Sequence, residues 1–412
     1  MSTPSSSRRF SLIRITSLSL IIGLVLALAI NASAGTGFAF VDSLASFFGF
    51  AETTVVSTTA FEPAVEPVTA MLTPGTCDTA GPIEVEGSIV GTTPTAYATL
   101  TAAFAAINAG THTGAISIDV CGNTTETVTA VLNASGAGSA VYSSVTMSPA
   151  GGAARTISGG LAAGSPLINL NGADNVTIDG LNAGGDSLTI SNTSTGTTAG
   201  TSTIRFIADA STNLVTRTTI LGSSASTSVT LAATIVFAAG TTTGNDNNTI
   251  SNCDIGPAGA SLPSKAIIGG GTSGIENDNV QITGNNIFDY FLATGNHHGV
   301  NMTTGSEGWT ISNNKFYQTA ARVVTTAASR HSAITMNNTT GTCTISGNTI
   351  GFAASNGTGT YTISGTSNEF RGIDVIANNT AVFSSIQGNT VTAINQTTSR
   401  GSTTSGTAGV SG

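Results

Sequence analysis

The chain has 412 residues and a formal net charge of −9, and 8% of its residues are charged whereas 40% are hydrophobic. Disordered chains combine low hydrophobicity with high net charge, so this composition argues against a disordered protein. No basic stripe is present, which argues against a nucleic-acid partner. Ile, Val and Phe recur in a background of Ser, Thr, Asn and Gly, a composition that predicts an all-β protein of short strands joined by turns.

Residues 1–34 are a predicted signal peptide. Arg8 and Arg9 give it a positive start, an apolar run of 16 residues follows, and small residues at the −3 and −1 positions precede a cleavage site after Ala34. The alternative is an uncleaved anchor helix, but about 20 apolar residues are needed to span a bilayer. The mature chain is therefore expected to be secreted or on the cell surface without a membrane partner. Residues 35–76 lack periodicity and are predicted to be a linker or a disordered N-terminal extension.

Residues 77–166 are predicted to hold an N-terminal cap and the first coils of a repeat. Within them Thr95–Asn108 carries apolar residues at i, i+4 and i+7 from Leu100, as an amphipathic helix does, and Gly110 provides a stop signal. Residues 115–121 then alternate between apolar and polar side chains, which predicts a half-buried strand.

Residues 167–412 contain a repeat whose spacing is 31–39 residues. Its first motif, apolar–x–apolar, begins at Ile168, Ile204, Ile235, Ile267, Val300, Ile334 and Ile373. Its second motif has an apolar anchor followed two residues later by Gly or Asn, and the anchors are Ile178, Ile220, Ile250, Ile282, Ile311, Ile345 and Ile386. Self-similarity at a fixed period indicates stacked coils, ~4.8 Å apart. The sequence predicts a single-stranded right-handed parallel β-helix with an N-terminal capping helix; a β-sandwich, the rival fold, would lack this fixed internal order.

A structural asparagine ladder is predicted at the turn after the second motif. The four residues that follow the anchor by three positions in the last four repeats are Asn285, Asn314, Asn348 and Asn389. Stacked amides can each donate a hydrogen bond to the next. Loss of one rung is expected to cost about 1 kcal/mol.

The repeat also carries a family resemblance. The runs Ile282-Thr-Gly-Asn-Asn-Ile287 and Ile345-Ser-Gly-Asn-Thr-Ile350 resemble the coil motif of pectin-lyase-like right-handed parallel β-helices. The chain is most similar to large exported bacterial β-helix-repeat proteins, many of them adhesin-like. The resemblance covers residues 95–412 and implies the fold, while the same coil hosts lyases, hydrolases, adhesins and passive stalks.

Pectate lyases and polygalacturonases of this architecture place several carboxylates on neighbouring coils, so a similar site would require adjacent acids in an outward row of this chain. The row of the first motif is Asn169, Arg205, Val236, Ile268, Asn301, Thr335 and Asp374, and the row after the second anchor is Asp179, Leu221, Ser251, Thr283, Ser312, Ser346 and Gln387. Each row has one acid, whereas a shared metal or glycosidic bond needs two close carboxylates. No catalytic, cofactor-binding or metal-binding residue is therefore predicted.

Three other features have a simpler interpretation than a site. Glu276 with Asp278, and Asp246 with Asp254, could each hold a calcium ion in a loop, although solvated turn acids are commoner. The segment 296–299, Asn-His-His-Gly, is interpreted as a polar turn before Val300. Trp309, the only tryptophan, falls in phase with Ile311 and is expected to point into the core rather than to form a sugar platform.

The four cysteines predict one disulfide in an exported protein. Cys77 and Cys121 both lie in the cap, and Cys121 is out of phase with the inward residues of its strand, so these two are expected to pair. Cys253 and Cys343 lie three coils apart, roughly 14 Å at the stacking distance, which is too far for a bond.

The sequence favours a non-enzymatic exported surface protein, a β-helical stalk or adhesin-like segment whose Ser/Thr/Asn face contacts polysaccharide or cell-surface glycans. The alternatives are a polysaccharide lyase or glycoside hydrolase of the pectin-lyase-like fold, and a purely structural spacer. Val410 lies 37 residues past Ile373, where the first strand of a further coil is expected. The chain is therefore expected to be truncated at its C-terminus, with downstream domains in a longer protein.

We expect cleavage after Ala34, because the −3 and −1 positions hold small residues. N-terminal sequencing of the exported protein should begin at Gly35. Secreted material that still carries Met1 would contradict the signal peptide.

Overall fold

The computed structural model describes residues 75–326, 329–365, 367–376 and 382–398, together with the backbone of 410–411. It confirms the predicted fold class, because almost every described element is a strand and most strands are parallel and stacked in register. Each coil supplies one strand to each of three long sheets, termed sheets I, II and III. The described coils number about eight, from coil 1 at residue 114 to coil 8 at residue 376, and the strands of a ninth follow.

Sheet I consists, in spatial order, of β2 (Thr95–Tyr97), β1 (Ile83–Gly87), β3 (Gly114–Val120), β6 (Tyr142–Pro149), β9 (Val176–Asp179), β12 (Leu214–Thr216), β15 (Thr249–Ser251), β19 (Gln281–Thr283), β23 (Trp309–Ser312), β27 (Cys343–Ser346) and β31 (Ser385–Gln387). Sheet II consists of β4 (Thr124–Glu126), β7 (Ala154–Gly159), β10 (Ser187–Asn192), β13 (Thr219–Gly222), β16 (Asp254–Pro257), β20 (Asn286–Phe288), β24 (Lys315–Tyr317), β28 (Thr349–Gly351) and β32 (Thr390–Thr392).

Sheet III consists of β5 (Ala130–Asn133), β8 (Pro166–Asn171), β11 (Ser202–Ile207), β14 (Ile235–Phe237), β17 (Lys265–Gly269), β21 (His297–Met302), β26 (Arg330–Asn337), β30 (Glu369–Ile376) and β34 (Val410–Ser411). Two small sheets join β18 (Asn277–Asp278) to β22 (Ser306–Glu307), and β25 (Arg322–Val324) to β29 (Tyr361–Gly365) and β33 (Ile394–Gln396). Strands β1 and β2 are antiparallel to their neighbours and belong to the cap.

The first repeat motif stacks as predicted. Ile204 pairs with Ile168 below and Ile235 above, and the same column continues to Ile373 in coil 8. Most of these side chains are fully buried and belong to one continuous core that runs through all the coils. A short strand cannot bury itself, so this stacking supplies the hydrophobic stabilisation of the fold.

The second motif was misaligned in one coil. Val215, not Ile220, pairs with Ile178 and Ile250 in sheet I, and Ile220 lies in sheet II. Gly222 lies two residues after Ile220, the spacing that the motif requires, and so led to the wrong alignment. The turn of this coil is instead formed at Arg217, which has a left-handed conformation with φ 51°. The outward row of sheet I consequently contains Thr216 in place of the predicted Leu221.

The capping helix α1 (Leu100–Asn108) begins later than the predicted Thr95. Thr95–Tyr97 pairs with β1 instead, and Thr99 is the N-cap, its side chain accepting a hydrogen bond from Ala102 N at 3.1 Å. Glu126 accepts hydrogen bonds from the first two helical backbone amides at 2.9 Å each. These acceptors satisfy N–H groups that a helix cannot pair internally, and they fix where it starts. Gly110 follows the helix with φ +74°.

Trp309 lies in the core, as predicted, and its exposed fraction is 0%. Its indole occupies space left by Gly269, since a Cβ atom at that glycine would lie 2.5 Å from the indole ring. The indole N–H donates to Asn277 O at 2.8 Å, and the ring packs edge-on against Phe237 with centroids 5.2 Å apart.

At the predicted ladder positions, Asn285 Nδ2 donates to Asn314 Oδ1 at 2.9 Å, Asn314 Nδ2 to Asn348 Oδ1 at 3.0 Å, and Asn348 Nδ2 to Asn389 Oδ1 at 2.9 Å. The same Asn314 amide donates to Ile282 O at 2.8 Å, and its oxygen also accepts from Asn285 N at 2.9 Å. Each rung therefore closes a turn and joins two coils by direct hydrogen bonds.

Two further hydrogen bonds between asparagine side chains were not predicted from the sequence. At the corner between sheets III and I, Asn213 Nδ2 donates to Asn248 Oδ1 at 2.9 Å and Asn245 Nδ2 donates to Asn277 Oδ1 at 2.7 Å. The signal was present, because these residues precede the sheet I anchors by two and by five positions respectively.

In the cap, Cys77 Sγ lies 2.10 Å from Cys121 Sγ with a Cα–Cα distance of 5.7 Å, while Cys253 and Cys343 are free and buried. At the other end, Val410 pairs with Phe370 rather than with Ile373 as expected. The offset of three residues means that the last coil is longer than those before it.

Asn314→Ala should cost more than the sequence alone suggested, about 3 kcal/mol of unfolding free energy, because several buried groups lose their partners at once. Ser312→Ala, which loses one contact to Thr283 Oγ1 at 3.0 Å on the outer face, should cost under about 1 kcal/mol. Ile311→Asp should unfold the stack by burying an unpaired carboxylate. Urea unfolding monitored by circular dichroism measures all three, and equal effects of Asn314→Ala and Ser312→Ala would contradict the ladder's role.

Candidate functional site: the outer faces of the coils

The outer face of sheet I carries two rows of small hydroxyl side chains on either side of the buried anchors. We define the hydroxyl face as Thr216, Thr249, Ser251, Thr283, Thr310, Ser312, Thr344 and Ser346. In-register pairing stacks Thr283, Ser312 and Ser346 in one row, and Thr310 with Thr344 in the other, where Gln281 interrupts the series. Ser251 Oγ donates to Thr216 Oγ1 at 3.0 Å and Ser312 Oγ to Thr283 Oγ1 at 3.0 Å. The face is uncharged, and most of its members are partly exposed.

The outer face of sheet III is covered, although its row was predicted to face outward. Val236 and Ile268 are fully buried in a small separate cluster with Ala233, which belongs to the segment before β14. Asn301 Nδ2 donates to Ser228 O of that segment at 2.9 Å. This cover leaves sheets I and II as the faces on which a ligand could lie.

Lys265 helps to hold this cover in place. Its Nζ donates to Ser226 Oγ at 2.7 Å and to Thr227 O, and the side chain is fully buried. Burial without a carboxylate partner lowers the pKa of Lys265 to about 7.

The acids of the two outward rows are engaged in ion pairs. Asp179 pairs with Arg217 of the next coil. Asp374 pairs with Arg371 at 2.7 Å and with Arg330 of the coil below at 3.0 Å. Both carboxylates are nearly buried and lie on different sheets, so they join coils rather than face one another.

The segment Asn296–Gly299 is not the polar turn that was expected. His297 and His298 belong to β21, with exposed fractions of 0% and 3%. Gly299 suggested a turn, but its real constraint is packing, since a Cβ atom there would lie 2.5 Å from Ala333 O.

Burial keeps these imidazoles neutral. It lowers the pKa of His297 to about 4 and the pKa of His298 well below its usual value. His297 packs on His331, whose ring stacks on Tyr290 with centroids 5.3 Å apart. The cluster extends the core beneath sheet III.

The acidic pairs proposed for calcium are rearranged. Asp254 lies on the outer face of sheet II, where it accepts a hydrogen bond from Asn286 Nδ2 at 2.7 Å. Asp246 instead lies beside Asp278, and its Oδ1 accepts a hydrogen bond from Asp278 N at 2.8 Å. Within the part of the chain that the structure describes, no three His, Cys, Asp or Glu side chains are grouped closely enough to hold a metal ion. A loop-bound calcium stays an untested alternative to solvated turn acids.

The corner between sheets III and I contains two acids with opposite electrostatics. Burial raises the pKa of Asp278 to about 6, and the charges of Asp246, Glu307 and Glu276 add to the shift. Burial alone would also raise the pKa of Asp209, but hydrogen bonds from Thr241 Oγ1 and from the backbone amides of the 241–244 turn outweigh it and hold that pKa well below its usual value.

Asp278→Asn should raise stability at pH 7, because the folded state favours the protonated carboxyl and loses stability as the pH rises from about 4 to about 6. The gain should vanish near pH 4.

Asp209→Asn should do the reverse: it should lower stability at pH 7, with a deficit that shrinks as the pH falls below about 4. Thermal unfolding of both variants from pH 3 to 8 is the measurement, and parallel pH profiles for the two would contradict these electrostatics.

The aromatic pair of sheet II was also missed in the sequence. Phe288 and Tyr317 each follow an inward residue of their strand and so point outward, and their rings stack with centroids 5.3 Å apart at an interplanar angle of 12°. Because side chains alternate between the two faces of a strand, the inward positions of Ile287 and Phe316 could have revealed this outward aromatic pair. A cavity of about 220 Å³ adjoins Tyr317.

No protein-family model matches the chain, and no curated protein matches its sequence. Among solved structures, it is similar to PfbA, a surface adhesin of Streptococcus pneumoniae, with 12% sequence identity and a TM-score of 0.36 over 73% of this chain and 88% of that chain. Across the described residues, no helix has the length and apolar character required to cross a membrane.

Proposed function

We propose that the chain is a non-enzymatic exported surface protein, an adhesin-like β-helical segment that contacts polysaccharide through the hydroxyl face. The observation that carries the proposal is the regular double row of Thr and Ser on sheet I, in register over several coils. Each hydroxyl can both donate and accept a hydrogen bond, as the hydroxyls of a sugar do.

The repeat makes weak contacts additive. Rungs recur every ~4.8 Å along the axis, so a polysaccharide laid along the face would meet a new set of hydroxyl groups at each coil. One hydrogen bond contributes little net energy in water, about 1 kcal/mol. Many contacts on one rigid surface can together hold a long chain, and they do so without a deep pocket.

The acids of the two outward rows are not placed for hydrolysis, and the neighbouring acids Asp246 and Asp278 lie outside the hydroxyl face, at the corner between sheets III and I. Glycoside hydrolysis by the usual route needs two carboxyl groups about 5–10 Å apart, one of them protonated. Asp179 and Asp374 lie on separate sheets and each is paired with arginine. Glu126, another buried acid, caps the helix α1.

Export agrees with two features of the chain. The predicted signal peptide would direct it out of the cytoplasm, and the geometry at Cys77 and Cys121 is that of a disulfide, a bond that persists in oxidising compartments. A secreted or cell-surface location is part of this proposal.

A triple variant, Thr283→Ala, Ser312→Ala and Ser346→Ala, should weaken binding to polysaccharide at least several-fold, because it empties one row of the hydroxyl face. The control removes an equal number of partly exposed hydroxyls from the outer face of sheet II, through Thr156→Ala, Thr189→Ala and Thr219→Ala. A glycan array identifies a polysaccharide that the wild-type protein binds. Affinity electrophoresis of each variant in a gel containing that polysaccharide then measures the loss of binding. Equal losses in both triple variants, or release of sugar from the polymer, would refute the proposal.

A further inference from the structure

Three of the four histidines of the chain meet in one buried cluster at the corner between sheets II and III. His297 and His331 are paired rungs of sheet III, with ring centroids 4.3 Å apart and exposed fractions of 0%. His298 follows His297 on the same strand and is also buried. The fourth histidine, His112, lies in the cap, and coils 1–5, residues 114–269, contain none. The imidazoles of the stack are therefore confined to coils 6 and 7.

Aromatic side chains from three coils are joined in this cluster. The ring of His331 stacks on Tyr290 of coil 6, and its centroid lies 5.7 Å from that of Phe370 in coil 8. His331 Nε2 is hydrogen-bonded to Tyr361 Oη of coil 8, and Tyr361 Oη donates to Tyr290 Oη at 3.4 Å. We define the histidine cluster as Tyr290, His297, His298, His331, Tyr361 and Phe370.

Neither paired imidazole has an acceptor for a second proton. A carbonyl oxygen only accepts, so the bond between His297 Nδ1 and Gly295 O at 2.9 Å places the hydrogen of this ring on Nδ1. His297 Nε2 and His331 Nδ1 are both buried, and neither has a hydrogen-bond partner among the described residues. A protonated imidazole carries hydrogen on both nitrogens. Protonation of either ring would therefore bury an unsatisfied donor as well as a charge.

The charges around the cluster also oppose its protonation. The cations that act on the three imidazoles are Arg322, Lys265 and Arg330. The acids that partner these cations are already in ion pairs, Asp289 with Arg322, and both Glu369 and Asp374 with Arg330. The imidazoles bond instead to a carbonyl and to hydroxyl groups. An added positive charge would thus meet repulsion.

We infer that the histidine cluster is an acid-sensitive clasp, which opens the corner of coils 6–8 as the pH falls while coils 1–5 stay closed. An imidazole released into water takes up a proton below its ordinary pKa of about 6.5. Burial lowers the pKa of His297 to about 4 and holds that of His331 well below its usual value. The stability that the closed cluster contributes is therefore complete above about pH 6.5 and is lost as the pH falls toward 4. The inference does not rest on the proposed function, because the cluster lies away from the hydroxyl face.

Amide hydrogen exchange, measured by mass spectrometry at pH 7 and pH 5 and corrected for the intrinsic rate at each pH, reports the opening of each coil. From its two pKa values, His297 alone should raise the opening constant of residues 290–302 and 330–337 about 20-fold over this range. Protection in coils 1–5 should not fall. Ordinary carboxyl groups titrate below this range, and Asp278, whose pKa is raised, would act in the opposite sense.

Two variants remove the imidazoles without removing their local contacts. His297→Asn keeps an N–H donor for Gly295 O but cannot be protonated, and His331→Phe continues the ring stack between Tyr290 and Phe370. Each should reduce the acid-induced opening at least several-fold, and thermal unfolding at pH 7 verifies that each variant folds. His112→Gln, at the buried histidine of the cap, is the matched control and should open in acid as the wild type does.

The triple variant of the hydroxyl face should also open in acid as the wild type does, which separates this inference from polysaccharide binding. Equal loss of protection in coils 1–5 and 6–8, or no loss in coils 6–8 between pH 7 and pH 5, would overturn the inference in the wild-type protein itself. An acid response that neither His297→Asn nor His331→Phe reduces would show that the imidazoles are not the groups responsible.

Discussion

In-register stacking of short parallel strands is the constraint on which the whole molecule depends. A strand of three residues such as β15 or β19 has only one inward side chain, and that side chain is buried solely because the coils above and below place an apolar residue at the same height. A shift of one residue would turn every inward side chain outward. The backbone must therefore return to the same register after each coil, whatever the length of the intervening loop.

The corners enforce that register with buried polar groups. The ladder amides reach from one coil to the next, and carboxylates do the same elsewhere: the buried Asp186 accepts from Gly152 N at 2.8 Å, and the exposed Asp174 accepts from Ser211 N at 2.7 Å. A buried acceptor that satisfies a turn amide of the neighbouring coil costs little, whereas an empty turn would leave that amide unpaired. Several of the described acids thereby join neighbouring coils.

Sequence periodicity identified the fold because it records the inward contacts directly. The first motif was correct in every coil, since apolar residues at period two have one burial pattern. Where the prediction failed, a second interaction had decided the outcome. Arg217 adopts a left-handed turn conformation that its residue type does not predict. Thr99 and Glu126 accept hydrogen bonds from amides of the first helical turn, so the helix begins at Leu100 rather than at Thr95.

The outer faces were harder to predict, because exposure depends on which loops fold back. The sequence placed Val236 and Ile268 in an outward row, and that is their direction, but the segment held by Lys265 and Asn301 covers them. The hydroxyl face of sheet I could be predicted from the alternation of apolar and polar residues alone, because that prediction does not depend on a covering segment. The cavity beside Tyr317 could not be predicted, because it depends on the positions of residues in successive coils relative to one another.

Glycines within the stacked columns show how a repetitive fold acquires individual features. At Gly269 the missing side chain is replaced by the indole of Trp309, and at Gly256 the ring of Phe288 lies within 2.4 Å of where a Cβ atom would be. In both cases an aromatic group from elsewhere in the chain fills the gap. At Gly351 the close neighbour is backbone instead, since a Cβ atom there would lie 1.7 Å from Thr392 O of the following coil. Regular rungs thus produce extended surfaces, and a glycine at a single rung changes the packing of one coil without disturbing the register of the others.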